Sequence, residues 1–298
     1  MRKVLTVLLI VWLSALAFAT GKVEIKADPL YNFVKLDTGI TIAYVELGKK
    51  NNPPIVLLHG VTDSYISYSQ VAPRLADMGF WVIVPELRGH GKSDKPQNGI
   101  YTIDIHTEDI NALLEQLNIK NAHITGHSLG SFIAQNLAVE HPDKVSSLTL
   151  IGTAGVAEGN EVLTGMIEGD DTFPGINHIT EFSDEFIVDW TISSNYDKAF
   201  IQKTYEHAKN LPVYVWVNAF NGIANKPETL SKITVPVQII WGTQDDLFPL
   251  SNQIDLIERL GSTNILFLKK EAGHNTHWDN HFDEEVAKDI AAFAKTSR

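Results

Sequence analysis

The sequence contains no cysteine. Disulfides, thiolate metal ligands and a lipid-modified cysteine anchor are therefore excluded, and the fold must rest on its core alone. Basic excess is also missing, since 24 Lys and Arg stand against 36 Asp and Glu for a formal charge of −12. Nucleic-acid backbones need a basic patch, and no run of Lys/Arg interleaved with aromatics occurs, which argues against such a partner. There is no internal repeat and no low-complexity tract. No apolar run reaches the roughly 20 residues that a spanning helix requires. What remains is ordinary globular usage, 44% apolar and 20% charged, which a disordered or fibrous chain would not show.

The N-terminus carries a targeting pattern. Arg2 and Lys3 precede the apolar stretch Val4 to Phe18, and Ala17-Phe18-Ala19 supplies small residues at a cleavage point. The pattern predicts a signal peptide over residues 1–19 and a secreted or periplasmic chain with no stable membrane anchor after its removal.

Beyond it the chain alternates strand and helix. Tyr31–Leu36 and Ile40–Leu47 flank an Asp37-Thr38-Gly39 turn and predict a hairpin. Pro54–His59 is a short continuous apolar run suited to a strand buried on both faces of a parallel sheet, and Phe80–Pro85, Ala122–Gly126 and Val145–Ile151 read as further strands. Helices are predicted between them at Tyr68–Met78, Ile103–Leu117 with Thr102 as N-cap, and Leu129–Glu140. The fold class expected is α/β, a doubly wound and mostly parallel sheet. From about residue 152 to 234 the rhythm breaks into helical periodicity rich in large aromatics, and strands return at Val235–Trp241 and Asn264–Leu268. This stretch is expected to be a helical cap inserted into a single domain spanning 20–298.

Gly126-His127-Ser128-Leu129-Gly130 falls between a predicted strand and a predicted helix. A G-x-S-x-G segment in that context makes a very sharp turn that lifts the serine off the sheet, and its neighbours must be small because the chain nearly folds back on itself. A serine needs a base, and the base needs an orienting group. The acid should follow a late strand, where Gly242-Thr243-Gln244-Asp245-Asp246 stands, and the histidine should follow one more strand, where Ala272-Gly273-His274 stands. Asp245 is the first choice of acid and Asp246 the fallback.

With these motifs the chain resembles the α/β-hydrolase superfamily over nearly everything after residue 30, and most closely its serine esterase and lipase members. The resemblance implies Ser128 as nucleophile, Asp245 and His274 as its partners, and an oxyanion hole from the backbone N–H groups of Val61, in the His59-Gly60-Val61 turn, and Leu129. It implies a structural role for Arg88-Gly89-His90-Gly91-Lys92-Ser93-Asp94, with Arg88 paired to a carboxylate or carbonyls; Glu86 departs from the Asp that relatives often carry. His277 and His281 lie near His274 at spacings that superficially suggest a metal, yet no catalytic carboxylate motif accompanies them, and neither metal nor cofactor is implied. The expected activity is cleavage of a small to medium lipophilic ester or lactone. C–C bond hydrolysis or perhydrolysis on the same three residues, or a slow receptor-like ligand binder, are the alternatives. Trp190, Tyr214, Trp216 and Phe220 are the candidate substrate contacts.

Overall fold

The computed structural model describes residues 29–157, 159–169, 174–181, 183, 198–223 and 227–297. Eight strands form one sheet: β1 (Tyr31–Lys35), β2 (Thr41–Leu47), β3 (Pro54–Leu58), β4 (Trp81–Pro85), β5 (Ala122–His127), β6 (Val145–Ile151), β7 (Val237–Gly242) and β8 (Ile265–Lys270). Their order is β1-β2-β4-β3-β5-β6-β7-β8. The first hairpin and the β2–β4 pair are antiparallel, and every other pair is parallel.

Alternation along each strand divides the core in two. Val56 and Leu58, Ile83, Leu148 and Leu150 enter one apolar cluster with Ile110, Leu114 and Phe132, which come from α2 (Ile103–Gln116) and α3 (Leu129–Glu140). Ile55 and Leu57, Val82 and Val84, Ile151 and Ile240 face the opposite way. They meet Val71 and Leu75 of α1 (Val71–Asp77) and the apolar side of the closing helix Asp283–Thr296. A residue period of two on a doubly covered sheet is why Pro54–Leu58 and Trp81–Pro85 read as unbroken apolar runs.

The expected helix Tyr68–Met78 is in fact two pieces. A 3-10 turn occupies Tyr65–Tyr68, with Ser64 accepting the Ile66 amide, and α1 begins only at Val71. The Tyr68 hydroxyl donates to the Leu58 carbonyl at 3.2 Å, which pins the turn beneath the end of β3.

Between β6 and β7 the described residues hold α4 (Glu161–Glu168), α5 (Lys198–Lys209) and α6 (Val213–Asn221). α5 and α6 touch loops that leave the C-terminal ends of the strands. Phe200 of α5 meets Trp278 edge-on at 5.5 Å in the loop after β8, and the Tyr214 hydroxyl of α6 donates to the Lys95 carbonyl in the loop after β4. A further helix, α7 (Leu250–Arg259), follows Pro249 and was not expected from the sequence; the closing helix Asp283–Thr296 is α8.

Candidate active site

Ser128 stands between β5 and α3 with φ 49° and ψ −118°. A non-glycine residue there is strained, and strain of this kind persists only where the surroundings impose it. Here the two flanking glycines make room for it. A Cβ on Gly126 would lie 2.2 Å from the Gly130 carbonyl oxygen, and one on Gly130 would lie 2.2 Å from that of Leu58. Only bare backbone permits the turn, and the same closeness seats the N-terminus of α3 on the end of β3. That contact sets the Leu129 amide beside the His59–Val61 turn. Among the described residues neither the Val61 nor the Leu129 amide donates to a backbone carbonyl, whereas the Ser128, Ser131 and Asp63 amides do. First-turn amides of a helix have no intrahelical acceptor, and they favour an anion.

Asp245 follows β7 with its carboxyl buried. Its Oδ1 accepts the Leu247 and Phe248 amides at 3.0 and 2.9 Å, and its Oδ2 faces His274 Nδ1 at 3.0 Å. All three partners are nitrogens, so the carboxyl acts as acceptor and the histidine proton is assigned to Nδ1. Nε2 is thereby left as the basic nitrogen. Asp246, the fallback, is exposed in the same turn. Ser128 and His274 flank one point of the sheet edge: the Ser128 amide donates to Ile151, and a Cβ on the next residue, Gly152, would lie 2.8 Å from His274 Cε1.

The turn that carries Val61 is fixed by neutral histidines. His59 Nδ1 meets the Gly60 carbonyl at 2.8 Å and its Nε2 accepts the Leu87 amide at 3.0 Å. His90 Nδ1 meets the Arg88 carbonyl at 2.9 Å, and its Nε2 accepts the Thr62 amide at 3.1 Å. Each ring has one acceptor and one donor opposite it, which only a neutral imidazole satisfies. Burial accordingly holds His59 well below its usual pKa and His90 down to about 3. Arg88 makes a two-pronged pair with Asp109 of α2 at 2.7 and 2.8 Å. His277 bonds Ser67 and His281 bonds Asp279.

Of the candidate substrate contacts, Trp190 lies outside the described residues, as does the segment 1–19. Trp216 and Phe220 stack at 6.4 Å, both completely buried in the larger apolar cluster, and the Tyr214 hydroxyl is taken by Lys95. Sequence reasoning missed Asp63, a buried acid two residues after Val61 whose Oδ2 lies 3.6 Å from His127 Nδ1. It also missed the supports of the elbow. Ser131 donates to the Ser128 carbonyl at 2.6 Å, and Gln253 reaches the Thr153 and Phe248 carbonyls. No sequence motif marks Asp63 or Gln253, because His127 and Thr153 come from distant segments, and Ser131 reads as an ordinary helix residue.

The chain is similar to several characterised proteins. A 2-hydroxy-6-oxo-6-(2'-aminophenyl)hexa-2,4-dienoic acid hydrolase from Metapseudomonas resinovorans is 29% identical over 231 residues, which cover 74% of this chain and 78% of that one. Lipase 1 of Psychrobacter immobilis is 22% identical over 263 residues, covering 84% and 80%. The solved structure of an esterase from Exiguobacterium antarcticum superposes with a TM-score of 0.76 at 21% identity, over 89% of this chain and all of that one, a likeness of fold. Residues 53–281 match the α/β hydrolase fold family. With that match spanning most of its length, and with the sheet order and elbow described above, the chain belongs to the α/β-hydrolase family.

Proposed function

We propose that the chain is a serine hydrolase that cleaves a carboxylic ester or lactone of small to medium lipophilic substrates through an acyl-enzyme. The observation that carries this reading is the strained Ser128 at the start of α3, beside a His274 whose Nδ1 is held by buried Asp245. In this reading His274 Nε2 takes the Ser128 proton as Oγ attacks the carbonyl carbon. The resulting oxyanion is held by the Val61 and Leu129 amides, and each such donor is worth about 2.7–4 kcal/mol in the transition state. His274 then passes its proton to the departing alcohol, and a water deprotonated by the same nitrogen releases the acid. These steps need no cofactor. The helices of about residues 152–234 act as the cap over this site, and residues 1–19 direct export with cleavage after Ala19.

A second reading has specific support. The Metapseudomonas relative hydrolyses a dienoic keto acid, so the same residues could cleave a carbon–carbon bond beside a ketone. One panel separates the two: p-nitrophenyl esters of increasing chain length, several lactones, emulsified triolein and a 2-hydroxy-6-oxo-dienoic acid. Turnover of short to medium esters or lactones supports the first reading. Turnover of the dienoic acid alone supports the second. Activity mainly on triolein, rising at the oil–water interface, would show that the cap is a lipase lid, against the substrate size proposed.

A further inference from the structure

Asp63 sits in the turn that supplies the Val61 amide. Its own amide donates back to Gly60 at 3.3 Å, and the intervening Thr62 has φ 65°, so the turn is tightly drawn. The carboxyl folds beneath it: a Cβ on Gly60 would lie 3.0 Å from Asp63 Oδ2 and 2.8 Å from His127 Nδ1. The groups around it are His127 at the end of β5, His274 and His277 after β8, His207 of α5 and Tyr68 of the 3-10 turn, with His90 holding the Thr62 amide. The rings of His127, His207, His277 and His90 are kept uncharged by burial. Apart from the Gly60 amide, the Ser67 hydroxyl and His274, a charge on Asp63 would meet only uncharged rings.

We propose that Asp63 works as a neutral acid, whose proton keeps negative charge away from the oxyanion-binding turn, so that its ionisation suppresses the reaction on the alkaline side. The proposal rests on the acyl-transfer reading above and makes Asp63 a positioning residue. The charge would act on two groups of opposite sign, the oxyanion and the His274 imidazolium. The oxyanion site is built from the same four-residue turn as Asp63. His274 lies beyond the His127 ring, with the two ring centres 4.9 Å apart. The His127 ring stands between Asp63 and His274, whereas the turn itself joins Asp63 to the oxyanion site, so the oxyanion is affected more and the net effect is inhibition. Burial pushes the Asp63 carboxyl up to about 7, which brings this ionisation into the working range.

A hydroxyl records the same event. Ser67 Oγ accepts the Trp278 indole N–H at 2.8 Å and lies 2.9 Å from His277 Nε2 and 3.3 Å from Asp63 Oδ2. One proton and one lone pair remain for those two partners. With Asp63 protonated, its O–H donates to Ser67, which donates to His277 Nε2. With Asp63 ionised, Ser67 donates to the carboxylate, and His277 must carry its proton on Nε2 instead of Nδ1. Loss of the Asp63 proton thus moves the His277 proton across its ring.

The test is the pH profile of kcat/KM for p-nitrophenyl butyrate from pH 6 to 10, in the full chain, Asp63→Asn and Glu86→Gln. The full chain should rise from the acid side and then fall on the order of 100-fold, as one charge acting through a protein medium would produce. Asp63→Asn should keep the rise and lose the fall. Glu86→Gln should keep both, because that second buried acid bonds Tyr31 and Tyr65 away from the turn. A fall that persists in Asp63→Asn, one that disappears in Glu86→Gln, or none in the full chain overturns the proposal. Nitrogen-15 NMR of the unmutated protein reads the proton without any turnover: His277 should exchange its protonated nitrogen near neutral pH. A fixed tautomer from pH 6 to 10 overturns the proposal even if Asp63→Asn does not fold. Failure of every ester at every pH would instead sink the acyl-transfer reading, with the Asp63 titration still read by NMR.

Discussion

Moving the protein from pH 7 to pH 5 should unfold it, or nearly so. Six of the eleven histidines, the buried His59, His90, His106, His127 and His277 and the half-buried His207, are held below their ordinary pKa of 6.5, chiefly by loss of solvation. His90 and His106 fall to about 3 and His207 to about 4. The unfolded chain therefore takes up protons that the folded chain refuses, so stability is intact above pH 6.5 and is lost as the pH falls below it. For a ring that stays neutral in the fold, the loss at pH 5 depends only on the unfolded value and comes to about 2 kcal/mol. Asp63 and Glu86 work the other way, since each is raised by burial to about 7 and gains roughly 2 kcal/mol over the same interval. Six losses against two gains leave about 8 kcal/mol, comparable with the whole stability of a typical domain, about 5–15 kcal/mol. Urea unfolding followed by circular dichroism at pH 8, 7, 6 and 5 would measure this directly. His106 provides the internal control, because neither of its nitrogens has a hydrogen-bond partner among the described residues. His106→Phe keeps a ring against Tyr101 and should gain about 2 kcal/mol on the unmutated chain between pH 7 and pH 5. A urea midpoint that stays level from pH 8 to pH 5, or a His106→Phe difference independent of pH, would refute the reasoning.

Ser128→Ala should abolish labelling by a fluorophosphonate probe and lower kcat by several orders of magnitude, and equal labelling of the variant would remove Ser128 from its assigned role. Asp245→Asn should be far more damaging to kcat than Asp246→Asn, because Asp245 bonds His274 while Asp246 is exposed; equal losses would shift the assignment within the turn. Arg88→Met strands the buried Asp109 carboxylate and should cost about 3–5 kcal/mol of stability, read as the change in urea midpoint at unchanged slope. Intact mass of the exported protein should begin at Thr20, and a full-length product would contradict cleavage after Ala19.

The sheet was legible where its strands are covered on both faces and apolar side chains follow one another without a break. Pro54–Leu58 and Trp81–Pro85 show this directly, and their boundaries in the sequence and in the structure nearly coincide. The elbow was legible for a steric reason, since Gly126 and Gly130 admit no side chain. The order of Ser128, Asp245 and His274 followed from the strands that precede them. The break at Ser69-Gln70 was hidden, because Tyr65–Asp77 has continuous apolar spacing and the Tyr68 bond to Leu58 is a tertiary event. Also hidden was a polar ladder through the sheet. His123 lies between Ser147 and Thr149 at 2.7 and 3.0 Å, and Thr149 donates to Gln238 at 2.9 Å. Its members sit on three separate strands, and each alone looks like a misplaced polar residue.

Asp63 shows the same limit with more consequence. In sequence it is one acid of a Thr-Asp-Ser turn, where a solvated carboxylate is the ordinary expectation. Its character is decided by what burial brings from elsewhere, His127 from 64 residues on and Ser67 with its His277 and Trp278 partners from beyond β8. The same burial divides the labour among the histidines. A ring enclosed on all sides cannot afford a charge, so His59, His90 and His127 serve as fixed neutral spacers around the elbow. His274 keeps about a fifth of its side-chain surface open and has the Asp245 carboxylate against Nδ1. It alone among the rings next to Ser128 combines access to solvent with a counter-charge, and both are conditions for taking a proton and giving it back. The neutral rings do a second service, since a charged one beside His274 would lower its basicity. A site with several histidines therefore needs most of them silent, and the acid sensitivity described above is the consequence for the fold.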